Sequence, residues 1–157
     1  MPEPKLPTIE KDYDPSDSDP CSGCSNCCEY VIVHIHTPKT VKDFSDVYWY
    51  VIHKDVWVFV DHDGDWNVQF NTPCDKLKNR RCGVYERRPT VCRDYSPSDC
   101  PRYNLDPAEK YLFKDETDLF RYMAQKRPKL FEKFAAKNNL REEDVLEMQT
   151  CTNGGIQ

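Results

Sequence analysis

Apolar residues recur along the first half of the chain at spacings that predict a strand, a helix and a hairpin. The segment EYVIVHIHTP, residues 29–38, alternates enough to form a strand. Residues 39–54 have apolar side chains at helical spacing, namely Val41, Phe44, Val47, Tyr48 and Val51. Residues 56–70 hold two β-rich runs around Asp63-Gly64, a dipeptide typical of tight turns. We therefore expect a β-hairpin after the helix.

Helical spacing returns in the C-terminal part of the chain. A helix is predicted over residues 115–127, with Leu119, Tyr122 and Met123 on one face. Pro128 ends this helix and can begin the next one, whose apolar positions are Leu130, Phe131, Phe134 and Ala135. REEDVLEMQ predicts a last short helix. Between hairpin and helices, residues 73–100 show little apolar periodicity, which indicates that something other than an apolar core holds them together.

Length and composition fit one polar domain. The chain has 157 residues, 38% of them hydrophobic, and a mean hydropathy of −0.82. We predict a disordered acidic leader over residues 1–20, a single domain over residues 21–150 and a flexible tail over residues 151–157. Within the domain, residues 21–100 contain the cysteines and residues 101–150 form the helical part.

The net charge and the lack of targeting segments limit the partners and the location that we expect for the protein. The net charge is −5, and the leader alone carries two lysines against six acidic residues. We therefore expect no binding to nucleic acid or to an anionic membrane. No apolar run is long enough to span a bilayer, and the N-terminus has no apolar signal region. These features predict a cytoplasmic protein with reduced thiols.

The nine cysteines indicate metal binding rather than disulfide bonds. Their number is odd, and a reducing compartment does not favour disulfides. Cys151 lies in the polar tail and is expected to be a free thiol. The remaining eight are the predicted metal ligands: Cys21, Cys24, Cys27, Cys28, Cys74, Cys82, Cys92 and Cys100.

The first four of these cysteines lie in CSGCSNCC, residues 21–28. A C-x2-C pair is the usual half of a zinc site. Three thiols at this interval also suit three corners of an iron–sulfur cluster, as in bacterial ferredoxins. The ferredoxin sequence continues with C-x3-C-P, whereas this chain continues with a second cysteine, Cys28, and then Glu-Tyr. Cys28, adjacent to Cys27, could serve a second metal, join one large cluster or be a packed thiol.

The second four cysteines, Cys74 to Cys100, are spaced by eight, ten and eight residues. Arginines lie between them, and Arg88 and Arg93 are candidates for neutralising thiolate charge or donating to sulfur. The alternative is that these arginines belong to a solvated basic loop. His34 and His36 could hold a metal from one face of a strand, but such histidines are more often satisfied or exposed. No catalytic motif identifies a nucleophile or an acid–base pair.

The complete cysteine pattern resembles that of the bacterial CxxCxxCC family of zinc- or iron-chelating domains. The family pattern is C-x-x-C-x-x-C-C, then C-x-x-L, then C-x-[IV]-Y-x-x-R-P-x-x-C-R. The matching positions are Cys21, Cys24, Cys27 and Cys28; Cys74 and Leu77; Cys82, Val84, Tyr85, Arg88, Pro89, Cys92 and Arg93. Cys100 falls where many members carry a further cysteine. The resemblance implies metal chelation and leaves any reaction unassigned.

Together these observations predict an α+β fold, a small cysteine-rich domain organised by metal, with a β-hairpin and C-terminal helices. The triple C-x2-C-x2-C spacing favours an iron–sulfur cluster in redox or catalytic use. A structural zinc module for protein–protein interaction and a metal carrier or store are the alternatives. The sequence identifies metal ions as partners and does not identify a protein partner.

Overall fold

The computed structural model describes residue 16, residues 24–96, residue 100 and residues 107–150. The chain divides into two compact units. We call Met1–Val31 with Asn71–Ala108 the cysteine unit, and Ile32–Phe70 with Glu109–Gln157 the sheet unit. The predicted tail, and the predicted leader apart from Ser16, lie outside the described residues.

A four-stranded sheet organises the described part of the sheet unit. Its strands are β1 (Val31–Ile35), β2 (Val56–Asp61), β3 (Trp66–Phe70) and β6 (Glu109–Phe113), in the spatial order β1-β3-β2-β6. The pairs β2–β3 and β2–β6 are antiparallel. The predicted strand and hairpin are both confirmed. Strand β6 was not predicted.

The hairpin follows from its sequence. Val58 lies opposite Val68, and Val60 lies opposite Trp66, so apolar side chains meet across the two strands. In the turn, Gly64 has a φ of 92°, a conformation that favours glycine. The Asp61 carboxylate accepts hydrogen bonds from the backbone N–H groups of Asp63 and Asp65, at 3.1 and 2.9 Å. This acidic turn is therefore stabilised by its own backbone.

Four of the five described helices follow the predicted patterns. They are α1 (Val41–Val51), α3 (Glu116–Lys126), α4 (Pro128–Lys137) and α5 (Glu142–Thr150). Thr40 and Asp43 form a reciprocal capping box at the start of α1. Asp115 caps α3, and Pro128 occupies the first turn of α4, where its missing N–H costs no hydrogen bond.

The apolar core lies in the sheet unit and is rich in aromatic side chains. Its most deeply buried members include Phe44, Val58, Phe113, Leu119, Phe131 and Phe134. Trp66 packs against Phe44 and Phe113 with ring centroids 5.8 and 5.5 Å apart. Such ring pairs stabilise a core beyond the area that they bury. This packing explains why the polar chain still forms an ordered α+β unit.

The cysteine unit is built differently. Its described elements are a 3-10 turn (Asn26–Cys28), the short strands β4 (Leu77–Lys78) and β5 (Arg81–Cys82), a second 3-10 turn (Tyr85–Arg87) and helix α2 (Thr90–Asp94). None of its described residues is fully buried. The absence of apolar periodicity in residues 73–100 thus corresponds to a lack of apolar core among the described residues. In the described part of the chain, no helix combines the length and apolarity needed to cross a bilayer.

Candidate metal centre

Seven of the predicted ligands are described cysteines of the cysteine unit, and none of these seven forms a disulfide bond. Cys27, Cys74 and Cys92 are exposed. The other four, Cys24, Cys28, Cys82 and Cys100, are partly buried. Cys21 and Cys151 lie outside the described residues. The fold therefore collects cysteines from two distant parts of the sequence in one unit.

A short hydrogen bond joins the two cysteine groups. The Cys74 backbone N–H donates to the Cys28 carbonyl oxygen, at 2.6 Å. On the first side, Cys28 ends the 3-10 turn, where its own N–H donates to the Ser25 carbonyl at 2.8 Å. The end of the CSGCSNCC segment is thereby fixed beside the start of the second cysteine group.

The β4–β5 hairpin positions Cys74 and Cys82. The Leu77 N–H donates to the Cys74 carbonyl at 3.0 Å, and Leu77 pairs with Cys82 across the hairpin. The Lys76 N–H donates to the Cys74 sulfur at 3.4 Å. This contact fixes the Cys74 side chain against the hairpin.

The glycine after Cys82 closes this hairpin. The Gly83 N–H donates to the Lys76 carbonyl at 2.8 Å. A β-carbon at Gly83 would lie 2.9 Å from the same carbonyl oxygen, closer than a real side chain comes. A residue with a side chain therefore cannot occupy this position without moving the backbone that carries Cys74.

Cys92 is carried by α2, which Pro89 precedes as its N-cap residue. The Cys92 N–H donates to the Pro89 carbonyl at 3.0 Å. The segment before it is held by Arg88, whose guanidinium lies 3.7 Å from the centre of the Tyr85 ring. The Arg88 Nε–H also donates to the Tyr85 carbonyl at 2.9 Å. Arg93, exposed on α2, donates to the Thr90 hydroxyl at 3.4 Å.

Burial and neighbouring thiols raise the pKa of one proposed ligand, Cys28. Burial is the main cause that raises the pKa of the Cys28 thiol, and Cys74 adds to it. A hydrogen bond with Cys27 opposes this rise, whereas Cys82 and Cys92 raise the pKa further. The proton of this partly buried thiol is therefore held more strongly than that of a thiol in water.

Tyr30 is a non-cysteine residue that several of the cysteines influence. Burial raises the pKa of its hydroxyl, followed in effect by Tyr95. Further contributions to this rise come from Cys27, Cys100 and Cys24. We interpreted Tyr30 only as a strand residue in the sequence. Its position two residues after the adjacent cysteines was the available signal for a place in the site.

The structure does not arrange these side chains in finished coordination geometry. In residues 24–96, 100 and 107–150, no three side chains of Cys, His, Asp or Glu form a group that could hold a metal ion as they stand.

His34 and His36 belong to the sheet unit and line an open depression with Asp43. Hydrogen bonds from the Lys39 and Thr40 N–H groups lower the pKa of the Asp43 carboxyl, and His36 contributes to this lowering.

The fold and the collected thiols define a small α+β protein with a cysteine unit suited to soft metals. The chain belongs to the CxxCxxCC family, described as "Putative zinc- or iron-chelating domain", whose model matches residues 20–152. This confirms the family resemblance seen in the sequence. No curated protein and no solved structure shows detectable similarity to the chain.

Proposed function

We propose that the cysteine unit binds an iron–sulfur cluster for redox or catalytic use. The proposed ligands are drawn from the eight predicted cysteines: Cys21, Cys24, Cys27, Cys28, Cys74, Cys82, Cys92 and Cys100. Membership of a family of chelating domains supports metal binding in general. The observation that carries the proposal is the direct hydrogen bond between Cys28 and Cys74, which joins both cysteine groups.

The described residues fit such a group in their donor chemistry. Thiolates are the ligands that iron–sulfur clusters and zinc prefer. The cysteine unit also lacks a buried apolar residue within its described part, so bound metal would supply the cross-links that its packing does not. When bound, an iron–sulfur cluster supplies one-electron chemistry at a potential set by nearby charges and donors.

Positive charge around the second cysteine group supports a negatively charged centre. Seven basic residues lie between Cys74 and Asp94, against two acidic ones; the basic residues are Lys76, Lys78, Arg80, Arg81, Arg87, Arg88 and Arg93. Cations close to a thiolate cluster stabilise its negative charge. We propose that Arg93 acts in this way directly, whereas Arg88 acts through Tyr85, because its guanidinium is committed to that residue.

A structural zinc site is the second candidate, and a specific observation favours it. Backbone contacts join Cys28 to Cys74 and, through Leu77, to Cys82. These cysteines would supply three of the four ligands that a structural zinc ion takes. A metal carrier or store is a variant of this candidate, supported by the exposure of Cys27, Cys74 and Cys92.

Metal analysis of protein purified without air tests the proposal. We expect iron and inorganic sulfide in similar amounts and a brown protein with broad visible absorption. A colourless protein that contains zinc but no sulfide would replace this proposal by the zinc candidate. A Cys151→Ser variant is the matched control, because Cys151 is not a proposed ligand and its loss should leave metal content unchanged. Protein without bound metal would reject both candidates.

A further inference from the structure

The β4–β5 hairpin turns through two residues, one of which has a strained backbone. Lys78 pairs with Arg81 across the hairpin, so Asn79 and Arg80 form the turn. Both turn residues have positive φ, 50° and 60°, as in a type I′ turn, whose second position strongly prefers glycine. The other described non-glycine residues with positive φ are all Asn or Asp, which tolerate this conformation best. Arg80 therefore holds a conformation that glycine would adopt without strain.

The residues on either side of this turn carry like charges. Lys78 and Arg81 lie directly opposite each other, so their side chains project from one face of the hairpin, where like charges destabilise the strand pair. Both residues are exposed, as is Arg80. We call Lys78, Arg80 and Arg81 the basic hairpin tip. Two local features that lower the stability of the hairpin thus each place positive charge at this tip.

The paired cations of the tip face away from the proposed metal ligand of the same hairpin. Side chains alternate between the two faces of a strand, so Arg81 and its neighbour Cys82 project to opposite faces. The half-burial of Leu77 and Cys82 agrees with this arrangement, as does the exposure of Arg81. Compensation of thiolate charge at Cys82 therefore does not explain the cation at position 81.

We propose that the basic hairpin tip is a docking site for a protein that presents a cluster of carboxylates. Features that cost local stability are concentrated where proteins bind or react. Exposed cations attract and orient an acidic surface, and the encounters of redox proteins bury small interfaces of this kind. A partner docked here would reach the hairpin that carries Cys82. The benefit of that position rests on the proposed function, whereas the docking itself can be measured separately.

The distribution of charge favours an acidic protein over a nucleic acid as the occupant. The chain has a net charge of −5, whereas nucleic acids bind along extended basic surfaces. The three cations of the tip lie within four consecutive positions, residues 78–81. The cysteine unit also contains Val91, whose side chain is 77% exposed, and protein interfaces combine apolar side chains with a polar rim. A compact acidic patch fits these features better than a long polyanion does.

Binding of an acidic peptide to the whole chain, purified with its metal, tests this docking site. The probe is a fluorescent peptide of about ten glutamates, followed by anisotropy at low salt, and its binding should weaken as salt screens the charges. Lys78→Ala and Arg80→Gly should each weaken binding by about two- to five-fold, the range for exposed ion pairs. Lys133→Ala is the matched control, because it removes an exposed cation from α4 in the sheet unit and should leave the affinity unchanged.

Arg80→Gly separates a docking role from a role in folding. Glycine relieves the strain at this position, so amide hydrogen exchange in residues 77–82 should become slower than in the wild type. The same variant should bind the peptide more weakly and keep the wild-type metal content, because no proposed ligand is changed. Arg80→Lys retains the charge and should retain the binding.

The results that would overturn the docking site differ from those that would overturn metal binding. If Lys78→Ala combined with Arg80→Gly binds the peptide as the wild type does, or if Lys133→Ala weakens binding equally, the tip is not the docking site. Tighter binding of an oligothymidylate with the same number of charges would also overturn the proposal, in favour of a nucleic-acid site. Wild-type protein that binds the peptide at the tip but contains no metal would reject the proposed function and support the docking site. Metal-containing protein that does not bind the peptide would reject the docking site alone.

Discussion

Gly83 shows how one residue controls the geometry of the proposed site. Its N–H bonds to the Lys76 carbonyl, and the same carbonyl leaves no space for a β-carbon. Lys76 in turn donates to the Cys74 sulfur. The position of one ligand sulfur therefore depends on the absence of a side chain nine residues later in the chain.

We expect Gly83→Ala to weaken metal binding. The added methyl group must displace the Lys76 carbonyl, and a substitution that strains its surroundings commonly costs about 0.5–3 kcal/mol. Competition with a chelator should measure this as a lower metal affinity. The melting temperature of the sheet unit should not change, because Gly83 lies outside it. A Gly83→Ala protein with wild-type affinity would show that the hairpin does not position Cys74.

Arg88 makes two defined contacts within the cysteine unit, so its loss should lower the stability of that unit. Arg88 stacks on Tyr85 and donates to its carbonyl, so Arg88→Ala should destabilise the cysteine unit by about 1–2 kcal/mol. Arg87→Ala is the matched control, since surface substitutions usually change stability by no more than about 0.5 kcal/mol. Metal release in increasing urea measures both effects. Equal release from the two variants would contradict a structural role for Arg88.

At the scale of elements, the sequence predicted the helices and strands that are long and have a clear apolar period. Helices α1, α3 and α4 have several apolar residues on one face, and those residues form the core. Strand β6 was missed because EKYLF has no clear alternation, and its strand conformation depends on pairing with the distant β2. Strands β4 and β5 have only two residues each, too few to show any period.

The end of α4 offers a test of local backbone strain. Asn139 has a φ of 52° and follows the C-cap residue Asn138. The Leu140 N–H then donates to the Ala135 carbonyl at 3.0 Å, as in a Schellman ending. Glycine adopts this conformation without strain, and asparagine tolerates it better than other residues with a β-carbon.

We therefore expect Asn139→Ala to lower the free energy of unfolding of the sheet unit by about 1 kcal/mol. Asn139→Gly should keep or raise it by up to about 1 kcal/mol. Thermal unfolding followed by circular dichroism measures both variants. The reverse order of stability would mean that the left-handed residue is not what ends the helix.

At the scale of the whole molecule, two kinds of stabilisation occur in one chain. The sheet unit has the buried aromatic core, whereas the described residues of the cysteine unit include none that is buried. From the sequence we expected a domain organised by metal, with the cysteines in residues 21–100. The structure limits that expectation, because residues 32–70 belong to the unit with the apolar core.

Removal of metal should therefore unfold only part of the protein. Structural zinc commonly contributes about 10–16 kcal/mol, whereas the described residues of the cysteine unit include no buried side chain that could replace it. After chelation, amide hydrogen exchange should become fast in residues 24–30 and 74–94 and stay slow in β2, β3 and α3. Readdition of metal is the control and should restore protection. Uniform loss of protection in both units would contradict independent stabilisation.

The sequence predicted the ligand type of the site but not the contacts between its residues. The number of cysteines and their spacing predicted metal binding, and the family match agrees with that prediction. The relation between Cys28 and the second cysteine group could not be predicted, because it depends on a hydrogen bond to Cys74 across 46 residues of sequence. Tyr30 and Gly83 were missed for the same reason, since their roles arise from neighbours brought close by folding.

The interleaving of the two units also bears on how the protein is made. Residues 1–31 of the cysteine unit leave the ribosome before residues 32–70 of the sheet unit. Residues 71–108 come next, and residues 109–157, which complete the core, follow them. Neither unit corresponds to one continuous stretch of chain. No nascent chain can therefore finish the sheet unit before every proposed ligand has been synthesised. Expression of either unit as a simple truncated fragment would omit part of it.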